Sequence, residues 1–171
     1  TLVVDAEGDG LDANGAIDMT GGVVIVNGPT QNGNGALDYD AGFDIAGGLL
    51  VAADSGGMAV APAASSSQNS VLINFTAAQE AGTLVHIEDS EGNALLTFAP
   101  AKDFQSLVLS SADLVTGATY NVYTGGSSTG TTNDGLYTDG TYTPGDLNTS
   151  FTVSGTVTTV GNQTRGRMGR P

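Results

Sequence analysis

The chain contains no cysteine and no tryptophan, and only 4 of its 171 residues are Lys or Arg. Without cysteine it forms neither disulfide bonds nor thiolate metal sites. The 18 Asp and Glu residues give a formal net charge of −14, which excludes ordinary nucleic-acid binding and disfavours attraction to an anionic membrane. No apolar run approaches the ~20 residues of a membrane span. We therefore expect neither a nucleic-acid partner nor a membrane partner.

Positive charge is absent from more than half of the chain. The first 101 residues contain no Lys or Arg, although they hold most of the carboxylates; Lys102 is the first fixed positive charge. A folded surface this one-sided repels itself unless a cation joins it. Carboxylate and carbonyl oxygens suit hard ions, so the sequence predicts bound Ca²⁺.

Helix-forming residues are scarce, whereas turn-forming residues are abundant. The chain has 26 Gly and many Ser, Thr, Asn and Asp, and its hydrophobic content is only 39%. This composition predicts an all-β fold. The chain has no signal peptide and opens on the apolar segment 1–4, so it reads as a mature or trimmed product.

Residues 1–60 contain an internal repeat with an offset of 26 positions. Residues 11–12 recur as 37–38, and residues 17–19 recur as 43–45, with a partial third copy on either side. Short strands with Gly-rich corners at this period indicate a solenoid, and the spacing of leucine-rich repeats is absent. We predict a short right-handed parallel β-helix in which Leu11 stacks on Leu37 and Ile17 on Phe43, as interior ladders.

The pattern changes after a segment of small residues, 61–68, which we interpret as a linker. Residues 69–160 show alternating or apolar runs separated by turn signals, which predicts a β-sandwich-like antiparallel domain. The last segment, 161–171, is a basic tail.

Oxygen-bearing side chains concentrate at the corners of the repeat, where a metal would reverse the repulsion between stacked carboxylates. The spacing matches neither an EF-hand nor a nonapeptide calcium array, and Asp and Asn are also ordinary turn residues. The candidate metal ligands are Asp9, Asp12, Asn14, Asp18, Asp38, Asp40 and Asp44.

Catalysis is disfavoured because a β-helical lyase needs a basic residue, and the repeat has none. Abundant Asp makes any carboxylate pair uninformative for glycoside hydrolysis, and His86, in an apolar strand, is interpreted as structural. Sugar binding uses aromatic faces; the candidates are Tyr39, beside the acidic corner, and Tyr137 with Tyr142, which we expect as an exposed pair in a long loop.

Several segments together resemble one known family. They are residues 8–22, 26–29, 33–40, 82–87, 97–102 and 120–126. Over about residues 5–155 the chain is similar to the C-terminal part of the calcium-binding β-helical carbohydrate-binding domain proteins of bacteria, which are related in fold to pectate-lyase β-helices. The resemblance implies secretion to the extracellular space or cell surface, calcium on the β-helix, and non-enzymatic binding of acidic or cellulosic polysaccharide. Members of the family carry a longer β-helix before this point.

A self-assembling extracellular fibre subunit is the alternative. The N-terminal end of the repeat is apolar and uncapped, and bare solenoid ends polymerise. The basic tail could dock on the acidic repeat of a neighbouring copy, and contacts that do not close generate fibres. The residues predicted for assembly are Leu2, Val4, Arg165, Arg167 and Arg170.

Overall fold

A computed structural model describes residues 1–163 of the chain, and the all-β class is confirmed. The strands are β1 (Leu2–Asp5), β2 (Leu11–Ala13), β3 (Ala16–Met19), β4 (Val23–Asn27), β5 (Leu37–Tyr39), β6 (Gly42–Ile45), β7 (Leu49–Asp54), β8 (Ser70–Gln79), β9 (Val85–Asp89), β10 (Ala94–Phe98), β11 (Phe104–Ser110), β12 (Thr119–Thr124), β13 (Ser127–Ser128), β14 (Thr131–Asn133), β15 (Leu136–Thr138), β16 (Tyr142–Thr143), β17 (Asp146–Thr152) and β18 (Val157–Val160). Over these residues, no helix has both the length and the apolar character that crossing a membrane requires.

The copies of the repeat pair with one another in parallel. β2 pairs with β5, β3 pairs with β6, and β4 pairs with β7, each in the register of the repeat. Leu11 lies beside Leu37 and Ile17 beside Phe43, so the predicted apolar ladders are present. β1 pairs in parallel with β4. Equal positions of the repeat therefore share one face, and the ladders form because apolar residues recur at those positions.

One sheet joins the repeat to the rest of the chain. Its six strands follow the order β1-β4-β7-β11-β8-β18, with β11 antiparallel to both β7 and β8 and with β18 parallel to β8. This mixed sheet contains strands from both predicted domains, 1–60 and 69–160. The second six-stranded sheet, β14-β15-β10-β9-β12-β17, is antiparallel throughout.

The two faces of the mixed sheet enclose separate apolar cores. Val51 and Ile73, which are fully buried, pack with the second sheet. Leu50 and Leu72 point to the opposite face and pack with Phe43 of β6. Because successive residues of a strand face opposite sides, the nearly continuous apolar run of β7 serves both cores at once.

The segment interpreted as a linker, 61–68, packs on the second copy of the repeat. The Ala63 N–H donates to the Phe43 carbonyl at 2.7 Å, and the Ser67 and Gln68 N–H groups donate to the Ile45 carbonyl at 3.0 and 3.1 Å. These bonds satisfy backbone carbonyls that the end of the stack would otherwise leave unpaired. Segment 61–68 thus covers one end of the repeat.

Candidate functional site

The strand register places the predicted acidic ligands in pairs. Asp12 pairs with Asp38 on β2 and β5, and Asp18 pairs with Asp44 on β3 and β6. Adjacent strands lie ~4.8 Å apart. Two carboxylates at about 4 Å repel each other by roughly 1 kcal/mol in water and by more when desolvated. Each pair is therefore a position where a cation would remove an unfavourable interaction.

The Asp18–Asp44 pair has a third oxygen beside it. Ser65, from the segment that covers the second copy, donates its hydroxyl to Asp44 Oδ1 at 2.5 Å. Asp18, Asp44 and Ser65 line one cavity of about 240 Å³, together with neighbouring residues of β3, β6 and segment 61–68. This cavity gathers carboxylate and hydroxyl groups, whose oxygens are ligand types that Ca²⁺ takes.

The other predicted ligands do not join this cavity. Asp9 Oδ1 accepts a hydrogen bond from the Gly35 N–H at 2.9 Å, which ties the first copy to the second. Asn14 and Asp40 are exposed, Asn14 between β2 and β3 and Asp40 between β5 and β6. Over residues 1–163, no three His, Asp or Glu side chains converge as a metal-binding group. A cation at the Asp18–Asp44 pair would therefore take most of its ligands from hydroxyl, carbonyl or water oxygens.

Lys102 is the only Lys or Arg among the described residues, and it forms ion pairs with two carboxylates at the N-terminal end of the repeat. Its Nζ lies 2.6 Å from Asp5 Oδ1 and 3.0 Å from Glu7 Oε1, and it donates to the Ala6 carbonyl at 2.8 Å. Burial lowers the pKa of Lys102, but the hydrogen bonds and charges of Asp5 and Glu7 outweigh it, so the pKa is raised. Within residues 1–163, the acidic pairs of the repeat are therefore left without a positive side chain.

Two of the three predicted sugar-binding tyrosines are packed into the structure. Tyr39 donates its hydroxyl to the Ala61 carbonyl and meets the Phe43 ring edge-on, with 6.2 Å between centroids; burial raises its pKa. Tyr142 stacks on His86 with a centroid distance of 3.9 Å. The expectation of an exposed Tyr137–Tyr142 pair is wrong, because both residues are half-buried. Tyr142 is half-buried because one face of its ring is already in contact with the imidazole.

Sequence reasoning missed a polar cluster beneath Tyr142. His86, only 2% exposed, lies with Nδ1 at 2.7 Å from Thr97 Oγ1 and Nε2 at 3.4 Å from Glu88 Oε2. Burial lowers the pKa of His86, and Glu88 offsets this only in part. A hydrogen bond to Glu88 raises the pKa of Tyr123. Period-two alternation places residues 86 and 88 on one face of β9, which was the available signal, but nothing in the sequence indicated that Tyr142 returns to cover them.

Another cavity, of about 730 Å³, lies at one end of the second sheet. Several of its polar groups are already hydrogen-bonded within the protein. Asp89 Oδ1 accepts the N–H groups of Glu91 and Asn93 at 2.8 and 2.9 Å, and the Tyr120 hydroxyl donates to the Asp113 carbonyl at 2.8 Å. We therefore do not regard this cavity as the functional site.

The predicted assembly residues fall into two groups. Leu2 is 48% exposed and Val4 is half-buried, and Leu2 borders an apolar cavity of about 430 Å³ at the N-terminal end of the repeat. Arg165, Arg167 and Arg170 lie outside the described residues.

Comparisons of this chain with protein-family models, with curated proteins and with solved structures find no match.

Proposed function

We propose that this protein is a secreted, non-enzymatic module that binds acidic or cellulosic polysaccharide and is stabilised by Ca²⁺. The observation that carries the proposal is the cavity shared by Asp18, Asp44 and Ser65, which no Lys or Arg of the described residues lines. A bound Ca²⁺ would supply there the positive charge that an anionic sugar needs. The family resemblance supports the same function.

We also propose that residues 1–60 are coils of a right-handed parallel β-helix. Support comes from the three parallel pairings at the repeat offset and from the apolar ladders they create. Such stacking repeats one corner every ~4.8 Å, so Asp12 with Asp38 and Asp18 with Asp44 form acidic columns along the stack. A column of this kind suits a linear polymer, because successive sugar units can meet equivalent groups.

The absence of catalysis is part of the proposal. A lyase needs a base near the sugar carbon, and Lys102 is held by Asp5, Glu7 and the Ala6 carbonyl. His86 lies beneath Tyr142 on the second sheet, whereas the acidic columns lie on the small sheets of the repeat. Incubation with polygalacturonate should therefore produce no unsaturated-uronide absorbance.

A pull-down on insoluble polysaccharide tests the binding proposal. We expect retention on polygalacturonate gel or on cellulose in Ca²⁺, and release by a chelator. The double substitution Asp18→Asn with Asp44→Asn should weaken retention at least about tenfold, because it removes both formal charges from the cation site. Glu91→Gln, which removes one exposed charge in the turn between β9 and β10, is the control and should leave retention unchanged.

Retention that a chelator does not release would contradict a calcium-mediated site. An equal loss of retention in Glu91→Gln would contradict it as well. Absence of retention on either polysaccharide would contradict the binding function itself.

A second candidate function, a fibre subunit, is favoured by the direction of the edge strands. β1 and β18 are the two edges of the mixed sheet, and the pairings between them make both run the same way. The edge of one copy can therefore pair in parallel with the opposite edge of the next, placing Leu2 beside Val157. A contact of this head-to-tail type does not close and builds filaments.

Cysteine cross-linking tests the fibre, because the chain has no cysteine of its own. A chain carrying Leu2→Cys and Val157→Cys should give an oxidised ladder of dimers and higher oligomers. Leu2→Cys combined with Thr132→Cys, on the edge of the second sheet, should not. A ladder in both, or in neither, would contradict pairing of β1 with β18.

A further inference from the structure

Within residues 125–146, β14 and β15 extend the second sheet, whereas Tyr142 lies over the outer face of that sheet and closes a small polar pocket against it. The Tyr142 ring stacks on His86, and the Tyr142 hydroxyl donates to the Gly125 carbonyl at 2.9 Å and accepts the Gly145 N–H at 3.0 Å. Strands β13 and β16 pair within the same segment. The roof of the pocket is thus held by stacking on the sheet and by hydrogen bonds at both of its ends.

The pocket has a volume of about 260 Å³ and is lined largely by hydrogen-bond acceptors and hydroxyl groups. Its polar lining consists of His86, Glu88, Thr97, Ser128, Asp139, Thr141 and Tyr142. No Lys or Arg is among the described residues that line it. Because burial lowers the pKa of His86, the imidazole is neutral near pH 7 and adds no positive charge.

The backbone at the rim of the pocket is constrained. Asp139 has φ of 57°, in the left-handed region, and Gly140 follows with φ of 72°. A Cβ at Gly130 would lie 2.5 Å from the Asp139 carbonyl oxygen, so the two sides of the hairpin approach closely at this point. Aspartate tolerates the left-handed region better than most residues, so a sharp bend of the chain places Asp139 at the rim.

We propose that this pocket binds one neutral sugar residue and does so without a metal ion. Sugar hydroxyls are hydrogen-bond donors, and Glu88 and Asp139 would accept from them in charge-assisted bonds. A sugar acid would bring its carboxylate to a site that has two carboxylates and no cation. The volume is below the roughly 300–1,000 Å³ typical of drug-sized ligands, which limits occupancy to about one ring.

The proposal goes beyond the calcium-dependent site of the repeat. That site lies on β3, β6 and segment 61–68, whereas this pocket lies on β9, β10 and the 125–146 segment. The Asp18–Asp44 pair binds anionic sugar through Ca²⁺, and the pocket binds the neutral units of a mixed polysaccharide. The two sites therefore respond differently to a chelator.

Titration with matched sugars, followed by amide NMR shifts in the presence of a chelator, tests the pocket. The probes are methyl glucoside with methyl glucuronide, and methyl galactoside with methyl galacturonide; each pair differs only in oxidation at C6. We expect at least one neutral sugar to shift the amides of Glu88, Thr97 and Tyr142, and its uronide to bind at least about tenfold more weakly.

The substitution Glu88→Gln should weaken binding of the neutral sugar about tenfold. It should also reduce the difference in affinity between the neutral sugar and its uronide, because the Glu88 carboxylate both accepts hydrogen bonds from sugar hydroxyls and repels the uronide carboxylate. Glu91→Gln, which removes one charge outside the pocket, should change neither the affinity for the neutral sugar nor its difference from the uronide. Glu88→Gln should leave retention on polygalacturonate in Ca²⁺ unchanged, so the pocket proposal and the calcium-site proposal can fail independently.

Three outcomes would overturn the proposal. They are tighter binding of the uronides, binding only when Ca²⁺ is present, and no amide shift in the pocket with any of the four sugars.

Discussion

Replacing Asp54 by alanine should destabilise the protein by about 3–5 kcal/mol, measured as the free energy of unfolding in urea. Asp54 ends β7, is 3% exposed, and accepts the N–H groups of Ala36 and Gly56, each at 2.8 Å, as well as the Ser106 hydroxyl. Alanine leaves these three buried donors without an acceptor. The cost is large because each unsatisfied buried group loses about 1–3 kcal/mol.

Two further variants make the expectation specific to buried hydrogen bonding. Asp54→Asn keeps the shape and one acceptor oxygen but turns an NH₂ group toward a backbone donor, so we expect an intermediate loss. Asp38→Ala removes an exposed carboxylate of the same copy and should change the unfolding free energy by no more than about 0.5 kcal/mol. Equal stability of Asp54→Ala and Asp38→Ala would contradict the assignment of Asp54 as the acceptor that holds the 28–36 loop.

The pairing of the repeat copies could be predicted from the sequence, whereas their union with the second half could not. Apolar residues at equal positions, such as Leu11 with Leu37, fix the register because a one-residue slip would turn each ladder outward. The pairing of β7 with β11 joins residues about 55 apart, with Val51 opposite Leu109, and no periodicity reports such a contact. Segment 61–68 reads as a linker for the same reason, since the bonds that its backbone and the Ser66 hydroxyl make to Phe43 and Ile45 follow no periodicity in the sequence.

The candidate site divides in a similar way. The Asp18–Asp44 pair follows from the repeat, but Ser65 joins it only because segment 61–68 packs on the second copy. Seven acidic and amide residues were candidate ligands, and the register places Asp12 with Asp38 and Asp18 with Asp44 in two different small sheets. The stacking of Tyr142 on His86 depends on how a 22-residue excursion folds back, which local sequence does not encode.

Adding Ca²⁺ should raise the melting temperature by about 5–10 °C once its concentration reaches a hundred times the dissociation constant. A ligand at that excess contributes about 2.7 kcal/mol if it binds only the folded state, and a domain of this size gains roughly 2–4 °C per kcal/mol. The gain has two sources, ligation at the Asp18–Asp44 cavity and relief of repulsion within a chain of net charge −14. Differential scanning calorimetry in Ca²⁺, in a chelator and in NaCl of matched ionic strength measures it.

A variant that lacks both charges of the Asp18–Asp44 pair distinguishes binding of Ca²⁺ at the cavity from general screening of charge. Asp18→Asn with Asp44→Asn removes a repelling pair, so without Ca²⁺ this variant should melt at or above the temperature of the unmodified protein. With Ca²⁺ it should gain only what NaCl gives, because an amide oxygen offers no formal charge to the ion. Asp12→Asn with Asp38→Asn, the same change in a pair with no third oxygen assigned to it, should keep most of the calcium response. If the Asp18–Asp44 variant gained as much from Ca²⁺ as the unmodified protein, diffuse screening would account for the stabilisation, and the cavity beside Ser65 would not be a calcium site.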